Sequence, residues 1–341
     1  SGVKEKLSNA GNIQNSGIEI ALNTTPIKKK QWQWDLNFTY TRNRNKIVEL
    51  SPDVTSYINL DGAANYGNYR IASVAKVGSD YGMLMSDSWI KTDEKTGKPV
   101  VGYTNKFRTV YYKRGGTVKE VGSMLPNFLG SLNSTLRWKD LSLYVLFDAR
   151  FGGYVASYNS RYATAYGFSG ETEKYRKGMT WTSKYANAQD KVFTDGFIPD
   201  VVFDAGTIVT TPGGTNQDVS GMTYQEAYEK GYVEPAHLQS AAYFKNSWGT
   251  GVINDDWFKK INYISLREIT LSYNVPTKIS SYIGAKNLSL SFTGRNLAYL
   301  LNTAPNHENP ESVRGTGAAQ FRMRSFMPYT ASYLFTLNAT F

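Results

Sequence analysis

The chain has 341 residues, no cysteine, two histidines and a formal charge of +10. Without cysteine there are no disulfides, no thiolate metal sites and no cysteine nucleophile. Mean hydropathy is -0.42 and no run approaches about 18 apolar residues, which excludes a helical span but not a β-barrel, whose wall hides apolar residues at alternate positions.

Aromatic residues make up 14 %, with 25 tyrosines, and Gly, Asn, Ser and Thr are plentiful, a mix that favours strands and many turns. The sequence opens at Ser1 with neither an initiator Met nor a signal peptide, which fits a mature fragment of an exported protein. Ile18, Ile20 and Leu22 alternate with Glu19, Ala21 and Asn23, and Thr25-Pro26-Ile27-Lys28-Lys29-Lys30 reads as a turn. The lysine run is the densest basic cluster, taken as a solvated turn and not as a nucleic-acid site. Trp32, Trp34, Leu36, Phe38 and Tyr40 then share one face, opposite Gln33, Asp35, Asn37, Thr39 and Thr41. A period of two specifies a strand, and large apolar residues ending in Trp and Tyr are what an aromatic girdle looks like.

Residues 43–70 read as a loop, with weaker strands near 71–91 and 100–113. Between these, Thr92-Asp93-Glu94-Lys95-Thr96-Gly97 reads as a turn, since the ligand spacing of a calcium loop is missing. A second hairpin pairs Phe128, Leu132, Leu136 and Trp138 with Leu141, Leu143, Val145, Phe147 and Ala149 across Lys139-Asp140. Asp148 and Arg150 fall on the other face, where they must meet a lumen or rise above the membrane.

Residues 152–258 break the pattern and are too long for a hairpin connection. Short helices are expected at 170–185 and 223–231. The crowding of Tyr154, Tyr158, Tyr162, Tyr166, Trp181, Tyr185, Trp248 and Trp257 argues for a folded external cap. Strands resume at 261–275, where Ile264 and Leu266 have the opposite parity to Ile269, Leu271, Tyr273 and Val275, so a bulge is expected near Arg267-Glu268. A turn from Pro276 leads to Leu288, Leu290 and Phe292, and a polar loop at 301–328 leads to the last strand. There Tyr333, Phe335, Leu337 and Phe341 share one face, opposite Ser332, Thr336, Asn338 and Thr340. Short turns at 25–30, 139–140 and 276–287 alternate with long loops at 43–70, 152–258 and 301–328. If the carboxyl end is periplasmic, every short turn falls inside and every long loop outside, as in outer-membrane barrels.

These residues resemble a family. Asn9-Ala10-Gly11-Asn12-Ile13-Gln14-Asn15-Ser16-Gly17-Ile18-Glu19-Ile20, the Trp32–Tyr40 strand, Asn43-Arg44-Asn45-Lys46-Ile47, Asp256-Trp257-Phe258, the Tyr263–Pro276 run, Gly294-Arg295-Asn296-Leu297 and Leu337-Asn338-Ala339-Thr340-Phe341 together resemble SusC/RagA-type TonB-dependent outer-membrane transporters. Asn309-Pro310-Glu311 stands where such proteins usually carry Asp-Pro-Glu. The resemblance implies an all-β fold: the C-terminal portion of a 22-stranded antiparallel transmembrane barrel, with about nine strands present on the alternation rule. Residues 1–341 would form one partial barrel domain with a long extracellular loop region at 152–258, and the plug and the TonB-contacting segment would be absent. Two open sheet edges would then be exposed.

The same resemblance implies TonB-dependent uptake of glycans, or of oligopeptides, across the bacterial outer membrane, under a SusD-like surface lipoprotein. Membrane lipid, TonB and the substrate are the expected partners, with no nucleic acid, no cofactor and no metal. Gln33, Asp35, Asn37, Asn133, Thr135 and Arg137 would line the lumen. Tyr154, Tyr158, Tyr162, Trp181 and Tyr185 are the candidate substrate-stacking residues, against a packing role for the same rings. The rivals are a soluble β-rich carbohydrate-binding module and a glycoside hydrolase. A hydrolase needs two carboxylates across a sugar, yet no spacing pairs Asp195, Asp200, Asp204, Asp255 or Asp256. No nucleophile motif is present, and His237 and His307 read as lone surface histidines.

Overall fold

The computed structural model describes residues 11–61, 71–87, 89–165, 168–170, 178–237, 258–314, 321–323 and 328–341. Seven long antiparallel strands form a wall: β1 (Gly11–Lys29), β2 (Trp32–Leu50), β3 (Phe128–Trp138), β4 (Leu141–Ser157), β5 (Phe258–Val275), β6 (Asn287–Asn302) and β7 (Ser332–Thr340). Each pairs with its sequence neighbour in a plain meander. Two short strands, Val313–Arg314 and Arg322–Met323, attach at the far end of β4 and bring the sheet to nine.

The count agrees with the sequence, but the membership differs. The strands near 71–91 and 100–113 exist, at Ile71–Ala75, Met83–Ser86, Val100–Thr104 and Thr109–Tyr112, yet they belong to two small sheets outside the wall. They are four or five residues long, and a tilted strand needs about 9–11 to cross a bilayer. Neighbours such as Val100 and Val101 are both buried, so these strands are covered on both faces.

Strand limits also shift. The first turn is only Lys30 and Gln31, because β1 continues through Pro26 by a bulge between Thr24 and Ile27. A bulge on an edge strand tolerates a residue without an N–H. The loop expected from 43 begins at 51, because Asn43–Leu50 pair with Gly17 back to Gly11. The long loop begins at 158, not 152. There β4 slips register between Phe151 and Tyr154 and carries on to Ser157. Gly152 and Gly153 stand at φ of +85° and +86°, and a Cβ on Gly153 would lie 2.7 Å from the Met124 carbonyl oxygen. Glycine alone lets the strand bend there into the cap.

The anticipated bulge on β5 is present. Glu268 pairs with Leu146 and Arg295, Leu266 with Phe147 and Ala298, and Arg267 is left over on both sides. Short connections (30–31, 139–140, 276–286) all lie at one end of the wall and long ones (51–127, 158–257, 303–331) at the other. Helix α1 (Tyr158–Ala165) opens the long loop, and α2 (Tyr224–Glu229) falls where a helix was expected. A capping box closes the start of α2: the Thr223 side chain accepts from the Glu226 amide, and Glu226 accepts from the Thr223 amide at 2.7 Å. The other expected helix is corrected in part, since Met179–Thr182 is a strand paired with Val192–Phe197; residues 171–177 lie outside the described set.

Register sorts the wall into two faces. Leu22, Phe38, Leu132, Phe147, Leu266 and Ala298 lie in line on one, as do Leu143, Leu271, Phe292 and Phe335. From Leu141 to Phe151 the apolar row runs ten steps of about 3.3 Å, roughly 25 Å once tilted by about 40°, which matches the apolar band of a membrane barrel. Trp32 stacks on Trp138 (centroids 5.6 Å) at the short-turn end, and Tyr40, Phe128 and Phe151 form a ladder (5.3 and 4.8 Å) at the other. The second face carries Gln33, Asp35, Asn37, Asn133, Thr135 and Arg137, as expected of a lumen. Among the described residues β1 and β7 each pair on one side only.

Candidate functional site

The candidate surface is the polar face of the wall together with the cap at its long-loop end. Near the short-turn end, the Asp35 carboxylate accepts from Gln33 Nε2 (2.9 and 3.0 Å), from Thr25 Oγ1 (2.8 Å) and from the Arg137 guanidinium. Asn37 Nδ2 donates to Asn23, and Thr39 shares a 2.6 Å hydroxyl contact with Ser131. Asn23, Thr25, Asp35, Asn37, Asn133 and Thr135 rim an open depression of about 280 Å³. Amides, hydroxyls and one carboxylate make this face wettable and able to hydrogen-bond a polar solute.

A second knot lies nearer the cap. The bulge turns Arg267 onto the polar face, where its guanidinium donates to Asp148 (2.8 Å) and to Glu311 (2.6 Å). Glu311 comes from the 303–331 connection and also accepts from Tyr299 (2.8 Å) and Tyr263 (3.4 Å). Burial pushes the Glu311 carboxyl up, but hydrogen bonds from Arg267 and Tyr299 outweigh it and hold it below the usual value. Tyr299 donates also to Asn309 (3.0 Å) and packs against Tyr329 (4.5 Å). Thus the Asn309-Pro310-Glu311 stretch helps fasten this connection to the wall, beside the pairing of Arg322–Met323 with the end of β4. Asp148 finds its partner on the lumen face, and Arg150 donates to the carbonyls of Met124 (3.2 Å) and Gly152 (3.3 Å) beneath the cap.

The five aromatic candidates fall into two groups. Tyr154 and Tyr162 are half-buried against a core of Leu84, Met124, Ala156, Tyr158, Phe258 and Phe321, and Tyr158 is 2 % exposed within it. The Tyr154 ring lies directly over Gly122, where a Cβ would come within 2.5 Å. In the other group, Trp181 stacks on Phe193 (4.9 Å) and lies 4.9 Å from His237, while Tyr185 is buried with the Arg108 guanidinium 4.7 Å from its ring centre. Burial pushes the Tyr185 hydroxyl up. The sequence grouped these rings by spacing, and the fold separates them: Tyr154, Tyr158 and Tyr162 join one core, Trp181 sits with Phe193 and His237, and Tyr185 lies against Arg108. Tyr166, Trp248 and Trp257 lie outside the described residues.

His237 is not a lone surface histidine, for its Nδ1 is 3.2 Å from Asp195 and its ring packs edge-on against Phe193. Two further loop carboxylates have lysine partners: Asp200 with Lys98 (2.7 Å), and Asp204 with Lys91 (2.7 Å) and Lys113 (3.4 Å). Asp255 and Asp256 lie outside the described residues. The Asp93 turn is held by its own carboxylate, which accepts from Thr96 N and Oγ1, each at 2.8 Å. No cluster of metal-binding side chains occurs among the described residues.

No protein-family model matches the chain. It is 23 % identical over 303 residues to TonB-dependent receptor P26 of Formosa agariphila, which covers 87 % of this chain and 26 % of that protein. Its fold matches the structure of the RagAB peptide transporter with a TM-score of 0.54 at 13 % identity, over 98 % of this chain and 30 % of the other. In sequence and in fold, the chain resembles a SusC/RagA-type TonB-dependent transporter. The RagAB peptide importer in its 'closed-closed' and 'open-open' states matches equally, with a TM-score of 0.54 and 14 % identity for each. The seven-stranded wall is therefore a portion of a large antiparallel transmembrane barrel. The chain spans 26 % of the length of the curated relative and 30 % of the solved transporter chain.

Proposed function

We propose that this chain is part of the wall and external cap of a bacterial outer-membrane importer that takes up glycans or oligopeptides at the expense of TonB-coupled energy. The observation that supports this most strongly is the two-faced wall. An apolar belt roughly 25 Å tall backs a polar face, with tight turns at one end and folded loops at the other, as barrels of that membrane are built. The belt anchors in lipid, the Asp35 and Arg267 networks line the path, and the cap meets a SusD-like lipoprotein and the arriving solute. Of the aromatic rings, the half-buried Tyr154, Tyr162 and Trp181 are those a substrate reaches, while Tyr158 and Tyr185 shape the core beneath them.

The test is uptake of fluorescent oligosaccharides and oligopeptides by cells producing the whole protein, with and without TonB. Accumulation of one class that needs both the protein and TonB is expected, and the class that enters names the substrate. Uptake of both classes unchanged on deletion of the gene would overturn the proposal. So would a chain that is monomeric, cooperative in unfolding and soluble without detergent, the behaviour of a soluble binding module or hydrolase.

A further inference from the structure

The three short connections share a feature that the proposed transport does not use. Six lysines stand at or beside them: Lys28 and Lys29 at the end of β1 with Lys30 in the first turn, Lys139 in the second, and Lys278 and Lys286 in the third. All six are exposed, and against them the turns hold a single carboxylate, Asp140. Among the described residues no Asp or Glu side chain is ion-paired with any of the six, and Lys286 Nζ donates to Phe341 O (3.1 Å). The turns form one continuous rim: the Lys139 amide donates to Gln31 O (3.0 Å), the Asn274 amide to Asp140 O (2.9 Å) and the Lys286 amide to Thr340 O (2.7 Å). Hairpins two strands apart are separated by about 10 Å, near the Debye length, so their fields add.

The rim adjoins the apolar belt. The stacked Trp32–Trp138 pair marks its edge, with Lys139 Nζ 5.2 Å from the Trp138 ring centre. Helix α3 (Thr277–Ser280) and the turn after it add exposed Ile279, Tyr282 and Ile283, with Tyr282 at 86 %. Aromatic rings at headgroup depth with lysines just beyond is an arrangement that a charged membrane surface fits.

We infer that the short-turn rim is a binding surface for anionic phospholipid headgroups, one that holds the barrel against the leaflet facing those turns. This rests on the transmembrane reading of the wall. Each lysine near an anionic surface is worth roughly a fivefold gain in affinity, and salt screens it.

The protein reconstituted in phosphatidylcholine vesicles is titrated with spin-labelled phosphatidylglycerol and spin-labelled phosphatidylcholine, and the motionally restricted fraction of each is measured. The expected result is a preference of about fivefold or more for phosphatidylglycerol at low salt, collapsing in about 1 M NaCl. Replacing all six lysines by Gln should bring the preference to parity, and K28Q/K29Q/K30Q alone should take away a large part of it. K106Q/K184Q/K230Q in the cap should leave it unchanged. A preference retained in the six-lysine variant, lost in the cap variant, or indifferent to salt in the unaltered protein would overturn the inference. The salt titration decides the matter even where a variant does not insert. Absence of a restricted population for either lipid would instead overturn the transmembrane reading itself.

Discussion

In the wall, Phe335, Leu337 and Phe292 stand in rows at 72 %, 59 % and 51 % exposure; in the cap, Phe203, Val101 and Tyr224 are sealed at 1 % or less. Both regions are built from strands, and both use the same apolar residue types. The difference lies in what covers those residues. A cap strand is closed over by other cap segments: Val202 and Phe203 run parallel to Val100 and Val101, and α2 packs on them. On a wall strand the apolar row is covered by nothing among the described residues. Apolar rows left open over seven strands mark lipid as their solvent.

The largest test of this contrast is Phe203→Ala, which should cost about 3–5 kcal/mol, confined to the cap. Limited proteolysis in vesicles should then cut within 178–237 while the wall keeps its protection. Concerted loss of both would show a single core. Next, Leu132→Arg at the middle of the belt should cost about 2–4 kcal/mol of stability in phospholipid bilayers, read by urea titration, whereas Asn133→Arg on the lumen face should stay close to neutral. Equal penalties would remove the two-face assignment.

Arg267→Met frees Glu311 and Asp148 from their shared partner, and should weaken the hold on the 303–331 connection by about 1–2 kcal/mol after allowance for partial exposure. Faster amide exchange around Glu311, with the β2–β3 pairing untouched, is the expected reading.

The smallest effect is in pH. Burial raises the Asp204 carboxyl, but the Lys91 and Lys113 ammonium groups outweigh it and leave it below the ordinary 3.8. A lowered folded-state value gives stability that is complete above the unfolded value and lost as pH falls through the folded one. Cap unfolding should thus become easier below about pH 4, and Asp204→Asn should flatten that slope while leaving the wall's response alone.

The Asp35 face was legible from alternation alone, since Gln33, Asp35, Asn37, Asn133, Thr135 and Arg137 all fall where period two puts them. The Arg267 knot was half legible. Broken parity after Leu266 announced a bulge, and Asn309-Pro310-Glu311 stood out, but nothing local joins residues 44 apart in the chain. The aromatic candidates were legible as a cluster and not as a site, because ring spacing says nothing about which core each ring enters. The double glycine that carries β4 into the cap looked like the end of a strand, since positive φ is common to loops and to bulges.

By itself, then, the sequence determined the wall. Strand period, turn length and the chemistry of each face are local properties, repeated along each stave and readable without knowing its neighbours. Tertiary structure alone decided the cap: that 71–75 and 100–112 leave the wall for small sheets, that Tyr158 and Tyr185 are buried, and that Glu311 reaches Arg267. Those outcomes depend on pairings between distant segments, whose energies come from mutual burial and from ion pairs formed only once the chain has folded back on itself.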